Sequence, residues 1–318
     1  MKKFIPIVIG EPNSINAEII FKSLNKLNKT IKNKILLIGS YKLLTAQLKL
    51  IKKKINLNNL SNISCFKRNN KINILNIPIK FINPYKTSIE ETRKYIFNSL
   101  FVAHNLSIQK KIDGFINCPI DKKVFNKQIG VTEFLSKLNK SLGSEVMMIY
   151  NEKFSVVPIT THIDVKKISQ SLSQNIILDK MRTLNLAYKK IFKKYPIIKI
   201  LGLNPHNAEL RKNSEELNII LPVIDKLKKE KIKISGPFSA DEVFLNTFKK
   251  NEVIVGMYHD QVLAPFKALN RFNAINITLG LKYLRISPDH GTGTKIIFKN
   301  QANPESLLKA INCFNKFK

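Results

Sequence analysis

Apolar residues fall along this chain in short, β-branched runs that break off in polar side chains, and stretches of helical spacing follow most of them. Residues 4–9 end in Gly10-Glu11-Pro12-Asn13 and lead into an apolar-periodic helix that runs to Leu27. Residues 35–39 repeat the pattern, with a helix over 41–54. Residues 55–88 are rich in Asn and Lys and read as poorly defined strands and loops. Ser88-Ile89-Glu90-Glu91 has the form of a capping box and opens a long helix to Ile108. Further strands are expected at 114–117, 154–159, 197–203, 253–257 and 275–279, while residues 234–237 lead to Asp241 and a further helix. Helices are expected through Lys194, over 215–230, after Asp241 and from Pro304 onward. Strands alternating with helices predict an α/β fold with a largely parallel sheet and helices on its faces. No internal repeat or low-complexity linker interrupts the alternation.

The polar residues at the strand ends are the candidate chemistry, because open α/β sheets present sites at their carboxyl edge. The strand at 253–257 stops in Tyr258, His259, Asp260 and Gln261; Lys267, Asn276, Arg285 and Asp289-His290-Gly291 follow. An imidazole, a carboxylate and separated cations in one segment point to a small anionic molecule and a metal; a merely solvated strand end has the same composition. Three of the five histidines, His162, His206 and His259, terminate three separate predicted strands. Three neutral imidazoles with an open fourth position make a zinc-type catalytic site. A single strand-end histidine is more often a hydrogen-bonded surface or core residue, so it is the repetition that carries the metal reading. His104, in a helix, and His290, in a turn, do not fit the set.

Composition narrows the class. At 318 residues the chain is long enough for two domains. Its 54 basic and 22 acidic residues give a formal charge of +32, which in one reading marks a nucleic-acid or anionic-membrane partner. The excess is mostly Lys, spread over the whole chain beside abundant Ile and Asn, as AT-rich coding drift produces, and no basic stretch is interleaved with aromatics as stacking platforms require. Three isolated cysteines, Cys65, Cys118 and Cys313, form neither a disulfide framework nor a CxxC zinc site and imply a reduced, cytoplasmic setting. Met1-Lys2-Lys3 starts like a signal peptide, but Pro6 and the turn at Gly10 end the apolar run too early. No run approaches the roughly 18 apolar residues of a membrane span.

Several motifs, in order and nearly end to end, resemble the 4-hydroxythreonine-4-phosphate dehydrogenases of pyridoxal phosphate biosynthesis. They are GEPNSINAE near the start, NCPIDK from Asn117, GVTEFL from Gly130, TTHI from Thr160 and LNPHNAE from Leu203; then GPFSAD from Gly236, YHDQVLAPFK from Tyr258 and NITLGLKYLRISPDHGT from Asn276. The resemblance implies a relative of the isocitrate and isopropylmalate dehydrogenases, with two α/β/α domains around a cleft. Residues 1–122 with 297–318 are expected in one domain; 123–296 are expected in the other, with most site residues and a homodimer interface.

By resemblance, His162, His206 and His259 bind one divalent metal (zinc, magnesium or cobalt) across the two subunits, and Thr132, Lys267, Asn276 and Arg285 contact substrate. Asp241, Asp260 and Lys267 are the candidate catalytic residues, the two aspartates for supporting the imidazoles or handling protons. NAD or NADP is the implied hydride acceptor; no GxGxxG follows a predicted strand, and the turn Asp289-His290-Gly291-Thr292 is the candidate nucleotide contact. The chain departs from the family at identifiable places. The alanine and the two inner glycines of GDPAGIGPE give way to Asn13, Ser14 and Asn16, Cys118 replaces the glycine of TGPI, and Val131 replaces the histidine of GHTE. NPHAGE has become NPHNAE, and the DIAG after DHGT is missing. Loss of the histidine at Val131 keeps a second substrate class in play, a phosphorylated sugar acid such as threonate or erythronate 4-phosphate. A basic nucleic-acid-binding protein on a decayed enzyme scaffold is the alternative from another class.

Overall fold

The structure, a computed structural model, describes residues 4–125, 130–245 and 247–317. Met1-Lys2-Lys3, the signal-like start, lies outside the described residues. The chain divides into two compact units, residues 1–135 with 282–318 and residues 136–281. The first unit contributes β1 (Ile5–Val8), β2 (Ile35–Gly39), β3 (Leu57–Leu60), β4 (Ile72–Asn76) and β5 (Gly114–Asn117). The second contributes β6 (Val146–Tyr150), β7 (Ser155–Thr160), β8 (Ile197–Leu201), β9 (Ile234–Phe238), β10 (Glu252–Tyr258) and β11 (Ile275–Leu279). The chain then returns to the first unit for β12 (Leu284–Pro288).

In the first unit the strand order is β3-β4-β2-β1-β5-β12, every adjacent pair parallel. Strands β1, β2 and β5 are buried along their whole length, which is why they read as unbroken apolar runs rather than as alternating ones. The helix Ile89–Ile108 starts where the capping box predicted. Ser88 Oγ accepts the Glu91 N–H at 3.3 Å, while the Glu91 carboxylate turns away to accept the Lys80 N–H, also at 3.3 Å. Only half of the reciprocal box is therefore made.

In the second unit the order is β11-β6-β7-β10-β8-β9. Strands β7, β10, β8 and β9 run parallel, and β6 is antiparallel to both its neighbours. The reversal has a local cause: residues 151–154 are too few for a crossover, and the Asn151 N–H closes on the Phe154 carbonyl at 3.2 Å. Below this sheet Phe154 stacks on Phe248 at 3.8 Å and meets Phe266 edge-on at 5.1 Å, within a core that includes Ile149, Val156, Ile254 and Val262. The expected α/β class is the one observed. Among the described residues no helix is long and apolar enough to cross a membrane.

Candidate active site

Three adjacent parallel strands of the second unit, β7, β10 and β8, end at the residues singled out by the histidine pattern. His162 follows β7 by two residues, and Thr160 at the end of that strand ties it to β10 by donating to the Met257 carbonyl at 2.7 Å. His259 is the first residue of the helix His259–Asn270 that leaves β10. The two imidazoles face one another with ring centroids 5.7 Å apart and planes inclined by 41°. His259 Nδ1 lies 2.6 Å from Asp260 Oδ1. An ionised carboxylate can only accept, so the contact selects Nδ1–H as the donor, and in the neutral ring Nε2 then keeps the lone pair a metal requires.

His206 reaches the same edge differently. It lies in the turn Pro205–Leu210 after β8, where His206, Asn207, Ala208, Glu209 and Leu210 all have φ between 49° and 56°. Left-handed backbone costs a non-glycine residue roughly 1–2 kcal/mol, and such strain gathers at functional sites. Two of the three expected imidazoles thus come together. The third does not join them within one chain: among the described residues no three His, Cys, Asp or Glu side chains approach closely enough to hold a metal ion.

The other expected residues of this unit lie on three elements. Lys267 is exposed on the helix His259–Asn270, and Asp241 is exposed in the short helix Ala240–Val243. Asn276, on β11, has its Oδ1 buried with no hydrogen-bond partner, an acceptor that a bound donor would satisfy.

The first unit holds the anion-binding candidates. Arg285, on β12, is fully buried; its Nε donates to Asn117 Oδ1 at 2.7 Å and its Nη1 to Thr132 Oγ1 at 3.3 Å. Burial pulls its pKa down to about 10, so the guanidinium keeps its charge at neutral pH. Thr132 sits in the first turn of the helix Val131–Asn139, whose N-terminus is closed by Glu133 accepting the Gly130 N–H at 2.9 Å. Asn117, which the sequence marked only as part of a strand end, is therefore the link between the two expected substrate residues and strand β5.

The turn Asp289-His290-Gly291-Thr292 is anchored by its backbone: the Asp289 N–H donates to Ser306 Oγ at 2.9 Å, and the Thr292 carbonyl accepts the Ile15 N–H at 3.0 Å. This places it against Ile15 within the Gly10-to-Glu18 segment. In that segment Glu11 is buried, with Oε2 lacking any hydrogen-bond partner, and burial raises its pKa to about 7.

Comparison with known proteins fits this architecture. A family model described as pyridoxal phosphate biosynthetic protein PdxA matches residues 31–314. The 4-hydroxythreonine-4-phosphate dehydrogenase of Aquifex aeolicus is 35% identical over 322 residues, covering 98% of this chain and 97% of that protein. The D-threonate 4-phosphate dehydrogenase of Pectobacterium atrosepticum is 27% identical over 329 residues, 98% of each chain. The crystal structure of 4-hydroxythreonine-4-phosphate dehydrogenase from Klebsiella pneumoniae matches 98% of both chains with a TM-score of 0.85 at 26% identity. By the match of the family model and the identity of its relatives, the chain belongs to the PdxA family of pyridoxal phosphate biosynthetic dehydrogenases.

Proposed function

We propose that this protein oxidises the secondary alcohol of 4-phosphohydroxy-L-threonine with NAD or NADP, and that the 3-keto acid so formed loses carbon dioxide to give 3-amino-2-oxopropyl phosphate in vitamin B6 synthesis. The observation that carries this reading is the facing pair His162 and His259, with Asp260 holding the proton of one ring. Neutral imidazoles at the ends of neighbouring strands fit a divalent cation such as zinc, magnesium or cobalt. A cation held there would supply stabilisation of the negative charge that develops on the alcohol oxygen as its proton leaves, and a bound nicotinamide would supply the hydride acceptor.

The chain's own residues supply binding and orientation. Arg285 and Lys267 meet the phosphate and carboxylate charges, the guanidinium by its planar fork and the ammonium as a point charge. Thr132 and Asn276 fix the substrate's polar groups, and the buried Asn276 Oδ1 accepts from a substrate hydroxyl or ammonium. Asp260 keeps His259 in the ligating tautomer, and Asp241 and Lys267 handle protons as the carboxyl group departs. The turn Asp289-His290-Gly291-Thr292 contacts the nucleotide. Two copies of the chain associate in the cytoplasm as a homodimer, and His206 joins the metal set through that association.

A second reading, oxidation of a threonate or erythronate 4-phosphate, is favoured by one residue. Val131 stands where the family's histidine precedes the threonine, directly beside Thr132, and an apolar side chain there withdraws one polar contact from the substrate. Spectrophotometric assay of the purified, metal-loaded protein with 4-phosphohydroxy-L-threonine and with D-threonate 4-phosphate, each with NAD and NADP, decides between them. Turnover of the aminated substrate is expected. Turnover of the sugar acid alone overturns the assignment to B6 synthesis.

A further inference from the structure

Glu216 is a carboxylate with no solvent exposure, and its oxygens are turned on a single loop. The backbone N–H groups of Leu203 and Asn204 donate to Oε1 at 2.7 and 2.8 Å. The Asn204 side-chain amide lies 3.1 Å from Oε2 and 3.3 Å from Oε1, and Glu215 accepts from the same amide nitrogen at 2.9 Å. A buried carboxylate persists only where donors replace its water. Here every donor named belongs to the two residues that lead from β8 into the left-handed turn.

That turn carries His206, two residues beyond Asn204. The Asn207 N–H donates back to the Asn204 carbonyl at 3.2 Å, and Asn207 Nδ2 donates to the Pro237 carbonyl, also at 3.2 Å. The His206 ring itself is exposed, so its placement follows from the backbone on either side of it. Glu216 also opens a π-helical turn, Glu216–Ile220. Such turns recur at functional sites because they re-aim the residues at their ends. Pro222 supplies a local cause, since it has no N–H to bond four residues back.

We propose that Glu216 is the positioning residue for His206: by gripping Leu203 and Asn204 it holds the strained turn in the one conformation that presents the imidazole at the sheet's carboxyl edge. The inference rests on the metal reading of His206. It is tested by titrating the metal-free protein with cobalt(II) in a calorimeter. Wild type is compared with Glu216→Gln, Glu216→Ala, His206→Ala and a control, Glu252→Gln. Glu252 is an equally buried carboxylate at the opposite end of β10, paired with Lys199 at 3.1 Å. Glu216→Gln keeps the shape but turns a donor toward the Asn204 amide, and it is expected to weaken cobalt binding about tenfold or more, the range for residues that orient metal ligands. Glu252→Gln is expected to lower the melting temperature while leaving cobalt affinity little changed. Should Glu216→Ala fail to fold, Glu216→Gln decides. If Glu216→Gln binds cobalt as wild type does, or no worse than Glu252→Gln, while His206→Ala abolishes binding, the positioning role is wrong and the metal reading stands. If His206→Ala itself binds cobalt normally, the metal reading falls and takes this inference with it.

Discussion

Arg285 donates its Nε–H to the side-chain oxygen of Asn117 at 2.7 Å, across the parallel pair β12 and β5. The guanidinium is buried and its second arm reaches Thr132, so Asn117 and Thr132 together fix the plane of the guanidinium, which under the proposed function is the fork offered to the substrate. Replacing Asn117 with Ala leaves a buried, charged donor without its acceptor. The cost is expected to be about 1–3 kcal/mol of stability. With the fork less firmly held, KM for the phosphorylated substrate is expected to rise about tenfold, equivalent to roughly 1.4 kcal/mol of lost binding, with a smaller change in kcat. Steady-state kinetics and urea unfolding of Asn117→Ala measure both. A loss of stability with KM unchanged would mean that Asn117 supports the strand pair and not the orientation of Arg285.

Ala208 occupies left-handed backbone at φ 51° in the turn Pro205–Leu210. The family's NPHAGE turn has glycine at this position, where the absent Cβ removes the clash with the following carbonyl. Ala208→Gly is expected to stabilise the protein by about 0.5–1 kcal/mol, the relief of strain outweighing the extra freedom of the unfolded chain and the loss of one buried methyl. Thermal and urea melts of the metal-free protein read this directly. A destabilised variant would show that the methyl's packing outweighs the strain.

How much of the chain is legible in its sequence depends on whether each element's cause is local. Strands β1, β2, β5, β7 and β10 announce themselves because burial on both faces demands unbroken β-branched runs. Strand β12 does not, because Arg285 interrupts its apolar run. Two of the groups that receive its N–H donors, Asn117 and Thr132, lie 168 and 153 residues away in sequence. Strand β6 is absent from the sequence reading, although the four-residue link at 151–154 is a readable hairpin signal. The histidines stand out as strand ends, and two of them do meet. The left-handed run at 206–210 has no glycine to betray it, and Glu216 looks like any acid on a helix face, because its donors come from a loop that only folding brings near.

Glu11 is a buried acid whose pKa is raised from 4.5 to about 7, chiefly by desolvation, against the opposing hydrogen bonds from the Asn13 and Asp121 backbone. The unfolded chain releases this proton near 4.5 and the folded protein keeps it to about 7. Between those values the native state binds more protons than the unfolded one, so stability falls as pH rises. Glu11→Gln keeps an oxygen for the Asn13 and Asp121 N–H groups and has no charge to bury. Each tenfold difference in proton affinity between the two states is worth about 1.4 kcal/mol, so above pH 7 the variant is expected to be more stable than wild type by up to about 3 kcal/mol. Below 4.5, where wild-type Glu11 is neutral in both states, the two are expected to converge. Urea midpoints of both proteins across this range measure the difference. A wild type that gains stability over Glu11→Gln as pH rises would mean that the folded protein prefers the carboxylate, and would place a cation or a bound donor at the buried Oε2.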